Sequence, residues 1–286
     1  MIRWDGDWAG QNGLNPLIHR LMLPAGTVVY TVGAPPVVGS GLAWSAQEAE
    51  TAVKGPVAAV LYDDAGTQAL TSLLTGLLDT GFTSTNVKAT LTQTRAAENW
   101  RVGEALAESY LVHHRACHFP WPDGRDIRKS GSSLPGADLV GFQREGSETR
   151  FVFGEVKTSS EKKYPPGACY GITGLKQQLE DLRDHLGIRD DLVRYLGHRA
   201  ATGVFWRTEF MQAAGHYFAN KNDIRVFGVL VRDVAPHQDD VRVRVTALAK
   251  GCPARMAIEL LAIYLPGMTI EKLGEIAAQS RQGGGS

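Results

Sequence analysis

The stretch from Gly136 to Lys157 constrains the fold more than any other part of the chain. One run ends at Phe142 and another starts at Arg150. Both are short, rich in β-branched and aromatic residues, and apolar on both faces, as strands inside a covered sheet are. Between them Gln143 to Thr149 is polar with Gly146 at its centre, which is hairpin-loop chemistry. Side chains alternate along a strand, so Glu155 and Lys157 share a face and Val156 turns the other way. Antiparallel pairing sets the start of the first strand beside the end of the second, so Asp138 is expected next to Glu155. Two carboxylates and an amine then meet at one point.

Such a cluster suits hydrolysis of a phosphodiester. Carboxylates held together repel, and one binds a proton unless a cation is present. A hard divalent ion with oxygen ligands, Mg²⁺ or Mn²⁺ in its place, resolves that repulsion. It also polarises the phosphate, lowers the pKa of an attacking water and neutralises the leaving oxygen. A lysine beside it orients the water and stabilises the anionic transition state. Each residue alone has a simpler role: Glu155 and Lys157 as an ion pair at a sheet rim, Asp138 as a turn cap. Their order and placement together favour a hydrolytic site.

Asp138 followed by Glu155, Val156 and Lys157 at the end of the next strand resembles the PD-(D/E)xK nuclease superfamily, the restriction-endonuclease-like fold, over roughly residues 96 to 250. Ala137 stands where the motif's name has proline, a position the family tolerates, and Pro135 is close by. The resemblance implies a helix before the hairpin bearing a glutamate that completes a metal site. Glu98 to Leu111 reads as that helix, with Trp100, Ala107 and Leu111 on one stripe. Glu104 projects from the middle of the stripe and Glu108 from its edge. A carboxylate there is costly unless a cation receives it, so Glu104 is the first choice and Glu108 the reserve. The implied site is Glu104, Asp138 and Glu155 on Mg²⁺, the Val156 carbonyl as a further ligand, and Lys157 orienting the water. It also implies a glutamine or basic residue on the following helix facing nucleic acid: Gln177, with Lys176 and Gln178 as alternatives. Arg128 and Lys129 before the hairpin, and Lys162 and Lys163 after it, are candidate phosphate contacts. Relatives of this kind include bacterial nucleases of restriction and anti-phage defence, several working with an ATP-driven partner.

The chain's 286 residues hold 30 basic and 30 acidic side chains, a formal net charge of zero. Non-specific affinity for nucleic acid comes mainly from phosphate neutralisation by Lys and Arg. Either the basic residues gather on one face, or a helicase, ATPase or sensor partner delivers the substrate. The chain has no nucleotide-binding phosphate loop of its own. Three separated cysteines without CxxC pairing and no apolar run of membrane-spanning length point to a reduced, cytoplasmic setting.

The remaining punctuation divides the chain into an N-terminal α/β accessory region (1–95), a nuclease-like domain (96–280) and a linker-like tail (281–286). Thr27 to Val32 and Val57 to Tyr62 read as strands, Ser45 to Lys54 and Thr67 to Leu78 as helices. Thr173 caps a leucine-striped helix to His185, with Gly187 as terminator. Asp190 to Asn220 is helical in two pieces, its Phe205, Trp206, Phe210, Met211, Tyr217 and Phe218 assigned to the core. Ile224 to Val231 is a buried strand. Val241 to Val245 alternates like an edge strand guarded by Arg242 and Arg244. Pro253 opens a helix to Tyr264, and Thr269 to Ala278 forms a last one. The three histidines and Cys117 from His113 to His118 lack a second ligand pair at zinc spacing. The fold class is therefore α/β: a restriction-endonuclease-like core with a mixed central sheet flanked by helices, plus the accessory region. The expected function is a metal-dependent endonuclease acting on DNA; the alternative is a non-catalytic adaptor of the same fold that binds a protein or nucleic acid.

Overall fold

Apolar strands covered on both faces need helices above and below them. The computed structural model describes residues 22–78, 97–121 and 136–282. Its strands are β1 (Thr27–Ala34), β2 (Val37–Ala43), β3 (Cys117–His118), β4 (Leu139–Glu145), β5 (Glu148–Ser159), β6 (Ile224–Arg232) and β7 (Ala257–Tyr264). They make one seven-stranded mixed sheet in the order β1-β2-β7-β6-β5-β4-β3. The central strands β2, β7, β6 and β5 run parallel, while β1 at one edge and the β4–β3 pair at the other are antiparallel to their neighbours. β1 and β2, from the region expected to be accessory, thus form one edge of the same sheet as the hairpin.

The helices are α1 (Ala46–Ala52), α2 (Ala58–Leu61), α3 (Asp64–Leu78), α4 (Asn99–His114), α5 (Leu175–Asp184), α6 (Leu186–Ala200), α7 (Arg207–Ala219), α8 (Asp239–Ala249) and α9 (Leu273–Gln282). One face of the sheet, around Val152, Val156, Val229 and Leu261, is covered by α1, α2, α4 and α9. The other, around Phe151, Phe153, Val226 and Leu260, is covered by α5, α6, α7 and α8. On β5, then, odd-numbered side chains face α5–α8 and even-numbered ones face α4. The α4 backbone comes so close to β5 at Gly103 that a Cβ there would sit 2.1 Å from Thr158 Oγ1. Only glycine permits that approach.

Four expectations are corrected. Val57 to Tyr62 is not a strand: α1 continues through a π-helical turn (Val53–Val57), broken at Gly55 (φ −106, ψ −108), into α2. A short apolar run fits a buried helix as well as a strand, and here it packs on α4. Val241 to Val245 belongs to α8, because Val241, Val245 and Leu248 recur at helical spacing and are buried together. Asp239 and Asp240 favour a helix start there. Arg242 therefore guards no edge; it bonds Asp239 at 2.7 Å. The segment to Tyr264 is strand β7, not a helix, and its apolar run from Leu260 to Tyr264 is that of a parallel strand buried on both sides between β2 and β6. Among the large apolar residues assigned to the core, Trp206 and Tyr217 are buried, but Phe205, Met211 and Phe218 are exposed.

Smaller differences concern ends. The hairpin turn is tighter than expected, since β4 and β5 run to Glu145 and from Glu148. Gly174, not Thr173, precedes α5, and Gly187 falls inside α6. α3 forms over the leucine-rich segment, yet its Leu70 and Leu73 face solvent.

Candidate functional site

The β4–β5 register pairs Leu139 with Gly154, so Asp138 arrives one step beyond the ladder, beside Glu155. The Val156 amide leaves the ladder at this point and donates to Asp138 Oδ2 at 2.7 Å. That bond fixes the carboxylate at the strand end. Lys157 Nζ lies 3.5 Å from Glu155 Oε2 and 3.9 Å from Asp138 Oδ2. Three residues singled out in the sequence, Asp138, Glu155 and Lys157, therefore converge. Across the sheet Glu155 pairs with Gly228, where a Cβ would meet Leu179 at 2.6 Å. The missing side chain lets α5 settle against the strand next to the carboxylate.

Glu155 is 1% exposed. Burial, reinforced by the neighbouring Asp138 charge and only partly offset by Lys157, pushes its carboxyl up to about 9. At neutral pH the Glu155 carboxyl therefore favours its protonated form. A divalent cation in the same place would take over the role of that proton. Mg²⁺ commonly binds one or two carboxylates and fills its other positions with water and phosphate oxygens. The donor set of Asp138, Glu155 and a backbone carbonyl fits that demand. The Val156 carbonyl leaves the strand on the same side as its amide, toward Asp138.

Glu155 also lines a cavity of about 500 Å³ between the hairpin and α5–α6. Val140, Leu182 and Leu192 give it apolar walls, and Gln178, Asp181 and Tyr195 add polar groups.

Glu104 is on α4, which packs against the opposite face of β5 from Glu155. Among the described residues no group of three or more His, Cys, Asp or Glu side chains is arranged to hold a metal ion. Gln177 donates to Asp181, which lines the cavity, at 2.8 Å, and Lys176 pairs with Glu180. Their neighbour Gln178 is the one that lines the cavity, with a buried Oε1 that has no hydrogen-bond partner. Its signal was in the sequence: Gln178 falls three residues after Leu175 and four before Leu182, a polar residue inside an apolar stripe. Lys162 and Lys163 are exposed on the loop after β5. Arg128 and Lys129 lie outside the described residues. The histidines from His113 to His118 go to separate partners: His113 to Ser109 O, His114 to Leu23 O, His118 to Glu209.

No protein-family model matches the chain, and no curated protein matches it in sequence.

Proposed function

We propose that the chain is a divalent-metal-dependent phosphodiester hydrolase acting on nucleic acid, DNA first, with a restriction-endonuclease-like core and its centre at Asp138, Glu155 and Lys157. The observation that carries this reading is the convergence of the three side chains, with Glu155 buried and short of positive charge. The mixed sheet supports it, with a helix before the hairpin and a parallel strand beside β5.

Asp138 and Glu155 would hold Mg²⁺, with the Val156 carbonyl as a third oxygen. The bound ion would activate water and offset charge on the phosphate. Asp138 is held in its orientation by the Val156 amide. Lys157, close to both acids, is placed to orient the water and to donate to the anionic phosphate. The apolar walls of the cavity limit the water near Glu155 and strengthen these charge interactions.

The deciding experiment incubates purified protein with plasmid, linear duplex, single-stranded DNA and RNA, each with Mg²⁺ and with chelator. Metal-dependent cutting that disappears in Lys157→Ala supports the reading. Equal cutting in Lys157→Ala, or none with any substrate, removes it and leaves a binding module of this fold.

A further inference from the structure

A buried charge without a counter-charge is costly, so an arginine inside the fold with no acceptor calls for one. Arg244, on α8, is 3% exposed. Its Nε and Nη2 have no hydrogen-bond partner among the described residues. The guanidinium lies instead over the ring of Tyr170, 4.6 Å from its centroid. The ammonium of Lys163 meets the same ring at 5.6 Å. Tyr170 and Lys163 are exposed, so an anion would reach the enclosed Arg244 nitrogens by displacing the Tyr170 ring.

Its neighbours do not neutralise Arg244. Asp240, one turn earlier on α8, accepts from the Tyr264 hydroxyl at 2.8 Å and lies 3.4 Å from Arg232 Nε. Arg232 in turn donates to the carbonyls of Ser159, Glu161 and Lys163. The Glu161 carboxylate accepts from the Gly167 amide. Asp240 is thus engaged by Arg232 and Tyr264, and Arg244 is left with the Tyr170 ring and no carboxylate. The cluster lies close to the centre described above. Lys163 and Tyr170 are on the loop that leaves β5 after Ser159, two residues beyond Lys157, and Ile172 of that loop lines the Glu155 cavity.

We propose that Arg244, with Lys163 and Tyr170, is a phosphate-binding subsite that holds a backbone phosphate of a nucleic-acid strand flanking the Asp138–Glu155–Lys157 centre. A guanidinium fork matches the phosphate oxygens two at a time. Lys163 adds a second cation from the surface side. Tyr170 offers an aromatic face to the adjoining base. The identity of the phosphate rests on the phosphodiester reading above; the need for an anion at Arg244 does not.

The test uses the full chain without divalent metal: thermal shift with inorganic phosphate, and fluorescence anisotropy with a labelled single-stranded oligonucleotide. Wild type and Asp138→Asn are expected to gain the same phosphate-induced rise in Tm. Arg244→Met is expected to melt at or above wild type, to lose the phosphate shift, and to bind the oligonucleotide about tenfold more weakly. Lys163→Ala, a surface change, weakens oligonucleotide binding and makes its log–log salt slope shallower by about one. An unchanged phosphate shift in Arg244→Met overturns the proposal, as does a phosphate shift with no oligonucleotide binding. If Arg244→Met does not fold, unchanged oligonucleotide affinity in both Lys163→Ala and Tyr170→Ala overturns it. Absent cleavage with these effects intact removes only the catalytic reading.

Discussion

The two ends of the β4–β5 hairpin both bury charge, and they treat it in opposite ways. At the turn end Arg150 bonds Asp223 at 2.7 Å, Glu145 at 2.9 Å and Glu148 at 2.5 Å. Arg255 reaches the same Asp223 at 2.9 Å, and Arg225 bonds Glu145. Burial alone would raise the Asp223 carboxyl, but hydrogen bonds from Arg150 and Arg255 outweigh it and hold the group below its ordinary range. At the open end two carboxylates face one ammonium, and burial wins: Glu155 is pushed up to about 9. Protein groups complete the first network. The second is short of positive charge, which is how a site for a cation differs from a structural ion cluster.

The comparison breaks most sharply at the turn end. Asp223→Ala removes the buried carboxylate that joins Arg150 to Arg255, while Arg150 keeps Glu145 and Glu148, so urea denaturation should show a loss of about 1–3 kcal/mol, with cleavage per folded molecule unchanged. If Asp223→Ala were as stable as wild type, the two ends would not differ as described. At the open end the effect moves from stability to rate. Lys157→Ala should cut Mg²⁺-dependent cleavage by about 10²–10³-fold and leave Tm near wild type; a large fall in Tm instead would make Lys157 structural.

Acidity sharpens the contrast next. Glu155 keeps its proton in the folded protein up to about 9, whereas its ordinary value is 4.5. Between those values the unfolded chain binds fewer protons than the native one. Without metal, stability should therefore fall as pH rises through that window, at a slope of at most about 1.4 kcal/mol per pH unit. In Glu155→Gln this slope should flatten. An equal slope in both proteins would mean that another group sets it. Smallest is Lys162→Ala: the side chain is exposed, so its removal should change stability by under about 0.5 kcal/mol. A larger loss in thermal denaturation would show that the loop after β5 is held by more than the Arg232 contacts.

The open end was legible in the sequence because strand alternation is rigid: once β4 and β5 pair, Asp138, Glu155 and Lys157 have little freedom. α4 was legible as a long run with one dominant period, and β6 as an apolar run of strand length. The face on which α4 docks was not, since periodicity gives a helix its stripe but not the side of the sheet it covers. Periodicity alone therefore leaves the place of Glu104 relative to the hairpin open. Short windows failed where two periods fit the same residues. Val241 to Val245 alternates like a strand, but extended to Leu248 it is a helix stripe. β7 is apolar except for Glu259 and carries no clear period to read. Arg244 looked like an edge guard on that mistaken strand; its burial beneath Tyr170 depends on contacts between distant segments that no local pattern encodes.

The central claim is that a divalent cation beside Asp138 replaces the proton held at Glu155. Calorimetric titration of the metal-free protein with Mn²⁺ at pH 7, in two buffers of different ionisation heat, tests it directly. Saturable binding that releases about one proton per ion, and that disappears in Glu155→Gln, is the predicted result. Absence of binding heat, or binding that leaves proton uptake and release unchanged, would contradict it.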